Sequence, residues 1–126
     1  MTTVACQLYR EVTRYHQVKV MADELLKENR ERLFDAVIVP GGPEGSKNLS
    51  ANAAVIDFIR RHDDAGCLVC SICSAAARAL KPHSLLKGRR YVSSGTSSEG
   101  VTDGVYVNAS VVKDGNLLSG RLTGAE

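Results

Sequence analysis

Between Asp35 and Pro40 the chain reads Ala-Val-Ile-Val, with no polar side chain to turn toward water. A strand that is apolar on both sides is expected where both faces are covered, as in the centre of a parallel sheet. Gly41 and Gly42 end this run, and a second one, Cys67-Leu-Val-Cys-Ser71, follows after Gly66. Between the two, the segment from Ser50 to Asp64 sets Val55, Ile56 and Ile59 on one helical face and Asp57, Arg60, Arg61 and Asp64 on the opposite one. That pattern predicts a surface helix with an inward stripe. Strand, helix, strand in this order predicts an α/β fold.

The flanking segments extend the alternation. Thr2 to Gln7 and Gln17 to Ala22 read as short strands, and Asp23 is placed to cap a helix running through Glu28 toward Arg32. Ser74-Ala-Ala-Ala-Arg-Ala-Leu-Lys81 is helix-forming by propensity, with Pro82 marking its end. Arg90 to Ser94, Tyr106 to Val112 and Asn116 to Ser119 read as strands, with Asp114-Gly115 as a hairpin turn. With 126 residues and no repeat or linker, residues 1–126 are expected to form one domain.

Sixteen Lys and Arg against fourteen Asp and Glu, both signs spread along the chain, give a net charge of +2. The Arg60-Arg61 and Arg89-Arg90 pairs are too short for a basic patch, so neither nucleic acid nor a membrane is expected as a partner. Residues 1–9 lack a charged start followed by an apolar core, which predicts a soluble, cytoplasmic protein. In a reducing compartment Cys6, Cys67, Cys70 and Cys73 are expected as free thiols.

Cys73 stands where the second apolar strand meets the small-residue helix. A sharp strand-to-helix turn exposes its residue at the carboxyl edge of the sheet, where open α/β folds place their sites. The helix start favours a thiolate there, and Ser74, Ala75 and Ala76 let the helix approach the neighbouring strand. Gly41 and Gly42, ending the other strand, can aim backbone N–H groups at an oxyanion beside Cys73, or can be ordinary turn punctuation.

Other residues compete for attention. Cys70 and Cys73 form a C-x-x-C, but at ~3.3 Å per residue an extended Cys70 lies about 10 Å from Cys73, beyond disulfide reach. Zinc would need two further ligands at suitable spacing, and His62 has no paired partner, so no metal and no cofactor is expected. Cys6 and Cys67 read as small buried hydrophobes. His16, His62 and His83 are expected at the surface, and Glu44 and Glu99 lie on loops that can approach the crevice.

The stretch Phe34-Asp-Ala-Val-Ile-Val-Pro-Gly-Gly-Pro-Glu-Gly45, with Asn48-Leu49, Ala53-Ala54-Val55 and Ser71-Ile72-Cys73-Ser74-Ala75, resembles the ThiJ/PfpI family, nearest its parkinsonism-associated deglycase branch. The match is dense from about Leu33 to Leu80, and Val111-Val-Lys-Asp-Gly-Asn-Leu-Leu118 fits its late hairpin. The resemblance implies a class I glutamine amidotransferase-like, flavodoxin-like sandwich, a homodimer, and an elbow cysteine that serves as nucleophile for glyoxalase or deglycase chemistry and as a site of sulfinic oxidation. By that resemblance Cys73 is the nucleophile, Gly41 and Gly42 take the oxyanion positions with help from the backbone of Ser74, and the substrate is an aldehyde of the methylglyoxal type.

Against the family pattern, this chain is expected to lack the first strand and helix, with their cysteine-contacting glutamate, and the terminal helix. The family's histidine falls at Gly95, and its late turn appears as Leu122-Thr123-Gly124. Ser74 stands where a protease-like branch carries histidine, which argues against peptidase activity. An inactive remnant acting as redox sensor or chaperone-like binder is the alternative.

Overall fold

A computed structural model of the chain describes residues 2–5, 11–13, 19–94 and 103–121. Its internal contacts fall into two units, Met1–Leu33 and Phe34–Glu126.

In the first unit, β1 (Val4–Ala5) pairs parallel with β4 (Glu24–Leu25), and β2 (Glu11–Thr13) pairs antiparallel with β3 (Lys19–Met21). The helix expected from Asp23 does not form. The Asp23 carboxylate instead accepts from the Thr3 N–H at 2.8 Å and from the Thr3 hydroxyl at 3.0 Å, while the Asp23 N–H donates back to the Thr3 carbonyl at 2.9 Å. This exchange holds Asp23 to Leu25 extended along β1. In its place stands a 3-10 turn, Leu26–Glu28, with Leu26 buried. A helix needs several residues fixed before its first bond is repaid, so a partner strand already in place wins locally.

The second unit holds the α/β body. Its four-stranded sheet runs in the order β5 (Ala36–Val39), β6 (Leu68–Ile72), β10 (Leu117–Gly120), β9 (Val111–Asp114). The first three are parallel, and β9 closes antiparallel on β10. β7 (Arg90–Tyr91) and β8 (Val105–Tyr106) form a separate parallel pair. Asp114 is the last paired residue of the hairpin, so the turn is Gly115–Asn116 rather than Asp114–Gly115; Gly115 has φ +60°.

Two helices connect β5 to β6 where one was expected. α1 (Pro43–Ser50) begins with proline in its first turn, and α2 (Ala53–Asp64) starts afresh after Asn52. The Asn52 side chain accepts from the N–H groups of Ala54 and Val55 at 3.0 and 3.3 Å, and so caps α2. The α2 stripe Val55, Ile56 and Ile59 is buried, as are Val39, Val69, Ser71, Leu117 and Ser119, which share one face of the sheet by register. The other face departs from the expectation of burial on both sides. Ile38 of β5 is 59% exposed and Ile72 of β6 is 41% exposed, because the helices between β5 and β6 cover one face only.

The end of α2 departs from expectation too. His62 is fully buried instead of facing solvent. Its Nε2 accepts the Phe34 N–H at 2.9 Å, which leaves the proton on Nδ1 to be donated to the Phe58 carbonyl at 2.7 Å. Its ring packs on Phe58, with centroids 4.3 Å apart. Burial, with the Arg61 charge, holds His62 below its ordinary pKa against the opposing pull of the Phe58 bond. Asp63 is buried beside it. The Arg89 guanidinium grips both Asp63 oxygens at 3.0 and 3.2 Å, and Asn116 Nδ2 donates to Asp63 Oδ1 at 2.7 Å. Arg89 also donates to Asn116 Oδ1 and to the carbonyls of Leu85 and Leu86. These five bonds use every N–H that a guanidinium has.

Candidate active site

The site is built at the carboxyl ends of β5, β6 and β10. Cys73 follows directly on β6 and has φ +59°, a left-handed conformation that costs a residue with a side chain about 1–2 kcal/mol. Its backbone is fastened on both sides. The Cys73 N–H donates to the Gly120 carbonyl at 3.0 Å, and its own carbonyl accepts from the Ser94 N–H at 3.0 Å and the Ser93 hydroxyl at 3.2 Å. The strained turn therefore persists because its neighbours use both of its backbone groups. Ser74, Ala75 and Ala76 beyond it are buried, and the following segment Ala76–Leu80 winds as a π-helical turn, with a 3-10 turn, Lys81–His83, taking in Pro82.

Gly41 packs directly against this elbow. A Cβ there would lie 2.5 Å from Cys73 Cβ and 2.8 Å from the Ile72 carbonyl oxygen, so no side chain fits without backbone movement. Gly42 has open space around it but φ +99°, so the requirement for glycine there is conformational. The sequence-predicted residues Cys73, Gly41, Gly42 and Ser74 are thus brought together.

The environment of the sulfur is made of dipoles. Burial pushes the Cys73 thiol up, but hydrogen bonds from the Ser94 side chain, the Gly42 and Ser74 N–H groups and the Ser74 hydroxyl outweigh it and hold the pKa below the ordinary thiol value. Cys70, three residues earlier, meets burial alone and is pushed up. Cys67 is half-buried rather than buried, and Cys67, Cys70 and Cys73 are all free thiols.

Sequence reasoning missed Ser93, Ser94 and Ser46. Ser93 and Ser94 follow β7, and two hydroxyls in a row just past a strand end were the available signal. Ser46 is fully buried on α1, with its Oγ 3.4 Å from Ser74 Oγ. Glu44 is exposed in the first turn of α1 and is not among the groups bonded to Cys73. His83 is half-buried, with Nε2 2.8 Å from the Ser50 carbonyl and its own carbonyl accepting from Arg60. Cys6, His16, Gly95, Glu99 and the turn Leu122-Thr123-Gly124 lie outside the described residues.

An open depression of about 370 Å³ lies elsewhere, lined by Lys47, Ser50, Ala51 and Arg78. Among the described residues no three His, Cys, Asp or Glu side chains gather as metal ligands, and no helix is long and apolar enough to cross a membrane.

The sequence pattern of the DJ-1/PfpI family matches residues 1–126. The chain belongs to the DJ-1/PfpI family. It is similar to a DJ-1 superfamily protein of Salmonella typhimurium, whose crystal structure is of a cysteine-to-alanine mutant: identity is 57% and the TM-score 0.93, over 95% of this chain and 65% of that one. Drosophila melanogaster DJ-1beta superposes with a TM-score of 0.88 at 30% identity, over 94% of this chain and 65% of that one. A deglycase of Pyrococcus abyssi is 31% identical over 119 residues, 90% of this chain and 68% of the relative. DJ-1 homolog A of Arabidopsis thaliana is 29% identical over 90% of this chain, which spans only 29% of the plant protein. These DJ-1 structures share the α/β, mostly parallel architecture.

Proposed function

We propose that this DJ-1/PfpI chain is a cysteine-dependent enzyme of the glyoxalase or deglycase type, acting on small reactive aldehydes such as methylglyoxal through Cys73. The observation that carries the reading is the left-handed Cys73 elbow, with Gly41 against it and four hydrogen bonds stabilising the thiolate. The deglycase name of the Pyrococcus relative supports the same reading.

In this reading the thiolate attacks the aldehyde carbon and forms a C–S bond, and the carbonyl π electrons move to oxygen. The resulting alkoxide is held by the N–H groups of Gly42 and Ser74, the same groups that favour the thiolate, and takes a proton from water to give a hemithioacetal. Conversion to lactate then moves the C1 proton to C2 and hydrolyses the thioester so formed. The described groups bonded to Cys73 are hydroxyls and amides, so the adduct-forming step is the one they support directly.

The test is lactate formation from methylglyoxal without glutathione. Turnover by the wild type that disappears in Cys73→Ala is the expected result; no turnover in either protein sinks the enzyme reading. A second reading, oxidation sensing, is favoured by the opposite pKa directions of Cys73 and Cys70. It predicts that mild peroxide oxidises Cys73 before Cys67 and Cys70, and equal oxidation by mass spectrometry removes it.

A further inference from the structure

Ser46 is a buried hydroxyl that the proposed reaction does not use. It is fully buried in α1, and Ser74 Oγ is the partner of its Oγ, at 3.4 Å. Its main chain points the same way, since the Ser46 N–H donates to the Gly42 carbonyl at 3.0 Å. Gly42 and Ser74 are the two residues whose N–H groups reach the Cys73 sulfur. The side chain therefore fastens Ser74, while the main chain makes the ordinary first-turn bond of α1 to Gly42.

The direction of the hydroxyl chain follows from chemistry. A thiolate has no proton and can only accept, so the Ser74 hydroxyl donates to the sulfur. Its oxygen is then free to accept, and the proton in the contact between the two serines comes from Ser46. Donation into Ser74 polarises its hydroxyl and strengthens the bond to sulfur, an effect that grows where water is excluded.

We propose that Ser46 is a positioning residue for Cys73, its side chain holding the Ser74 hydroxyl on the sulfur from inside the protein, so that the reactivity of the thiol depends on a side chain that does not touch it. The inference rests on Cys73 being an activated thiol, but not on which aldehyde it attacks.

The experiment is the pH dependence of Cys73 alkylation, resolved from the other cysteines by mass spectrometry, in wild type, Ser46→Ala, Ser74→Ala and the double variant. Losing one neutral hydrogen bond to the relay is expected to raise the Cys73 pKa by about 0.5 units in Ser46→Ala, and losing the direct bond by about 1 unit in Ser74→Ala. The double variant is expected to match Ser74→Ala, because Ser46 acts through Ser74. Alanine suits a helix, and circular dichroism checks that α1 is retained. An unmoved pKa in Ser46→Ala, or full additivity in the double variant, overturns the role of Ser46. A wild-type Cys73 with an ordinary thiol pKa overturns the activated-thiol reading as well, whereas missing lactate formation with the pKa shifts present overturns only the enzyme reading.

Discussion

The two ends of the four-stranded sheet are held together by different chemistry. At the amino ends of β6 and β10, the buried Asp63 carboxylate is held by the half-buried Arg89 guanidinium and the Asn116 amide, a network built on a full ion pair, with Lys87 Nζ at its rim 2.8 Å from Asp63 Oδ2. At the carboxyl ends, the described groups bonded to Cys73 are neutral hydroxyls and backbone amides. An ion pair fixes geometry tightly but also pins the protonation state of its members. Neutral dipoles favour a thiolate without pairing it to a counter-ion, which is what the proposed attack requires. Among the described residues the full charges therefore gather at the amino end and the neutral dipoles at the carboxyl end, around the proposed nucleophile.

The largest expected effect lies at the amino end. Arg89→Met strips the bidentate partner from a carboxylate whose side chain is 3% exposed. Removing one member of a buried pair typically costs 3–5 kcal/mol, and about 3 is expected here because Lys87 remains. Burial pushes Asp63 up, but its bonds to Lys87, Arg89 and Asn116 outweigh this and hold its pKa below the ordinary carboxylate value. A depressed carboxylate adds stability above its unfolded value of about 3.9 and loses it as pH falls toward the folded value. The gap between wild type and variant, measured by urea unfolding, is therefore expected to narrow below about pH 3.9. A gap under about 1 kcal/mol at neutral pH would mean that the network is not what holds this end.

Much of the fold was legible because the strands are written as short apolar runs bounded by glycine and polar residues. Ala36–Val39 and Leu68–Ile72 were readable within a residue, as was the stop at Gly66, which has φ +81°. What the sequence hid depends on partners far along the chain. Asp23 reads as a cap until Thr3 takes its carboxylate. His62 reads as a surface residue until the Phe34 N–H reaches it. The meeting of Cys73 with Gly41 and Gly42 was legible from local pattern, since both lie at the carboxyl ends of apolar strands, whereas the part given to Ser74 came from the family resemblance. Serines are too common to signal anything alone, so Ser46, Ser93 and Ser94 emerged only once folding placed them around the elbow.

At the carboxyl end the next largest effect is steric. Gly41→Ala puts a methyl group 2.5 Å from Cys73 Cβ and 2.8 Å from the Ile72 carbonyl oxygen, and both neighbours sit on fastened backbone. Overpacking of this kind costs about 1–3 kcal/mol. Because any relief moves the elbow or the Gly42 loop, Cys73 alkylation at neutral pH is expected to slow in the same variant. Arg89→Met, at the far end, is expected to leave that rate nearly unchanged while the protein stays folded. Equal slowing in both variants would join the two ends into one cooperative unit and break the distinction between them.

The smallest effect isolates the strain itself. Cys73 holds φ +59°, which suits glycine and disfavours any residue with a Cβ. Cys73→Ala and Cys73→Gly both remove the sulfur and its hydrogen bonds, so their difference reports the backbone alone. Elsewhere in a regular element glycine is the less stable of the two, but here Cys73→Gly is expected to be more stable than Cys73→Ala by about 1 kcal/mol. Thermal or urea unfolding of the pair measures it. If alanine is instead equal or better, the elbow relaxes once the thiol is gone, and the strain at the reactive end is maintained by the bonds to sulfur rather than by the Gly120 and Ser94 backbone contacts.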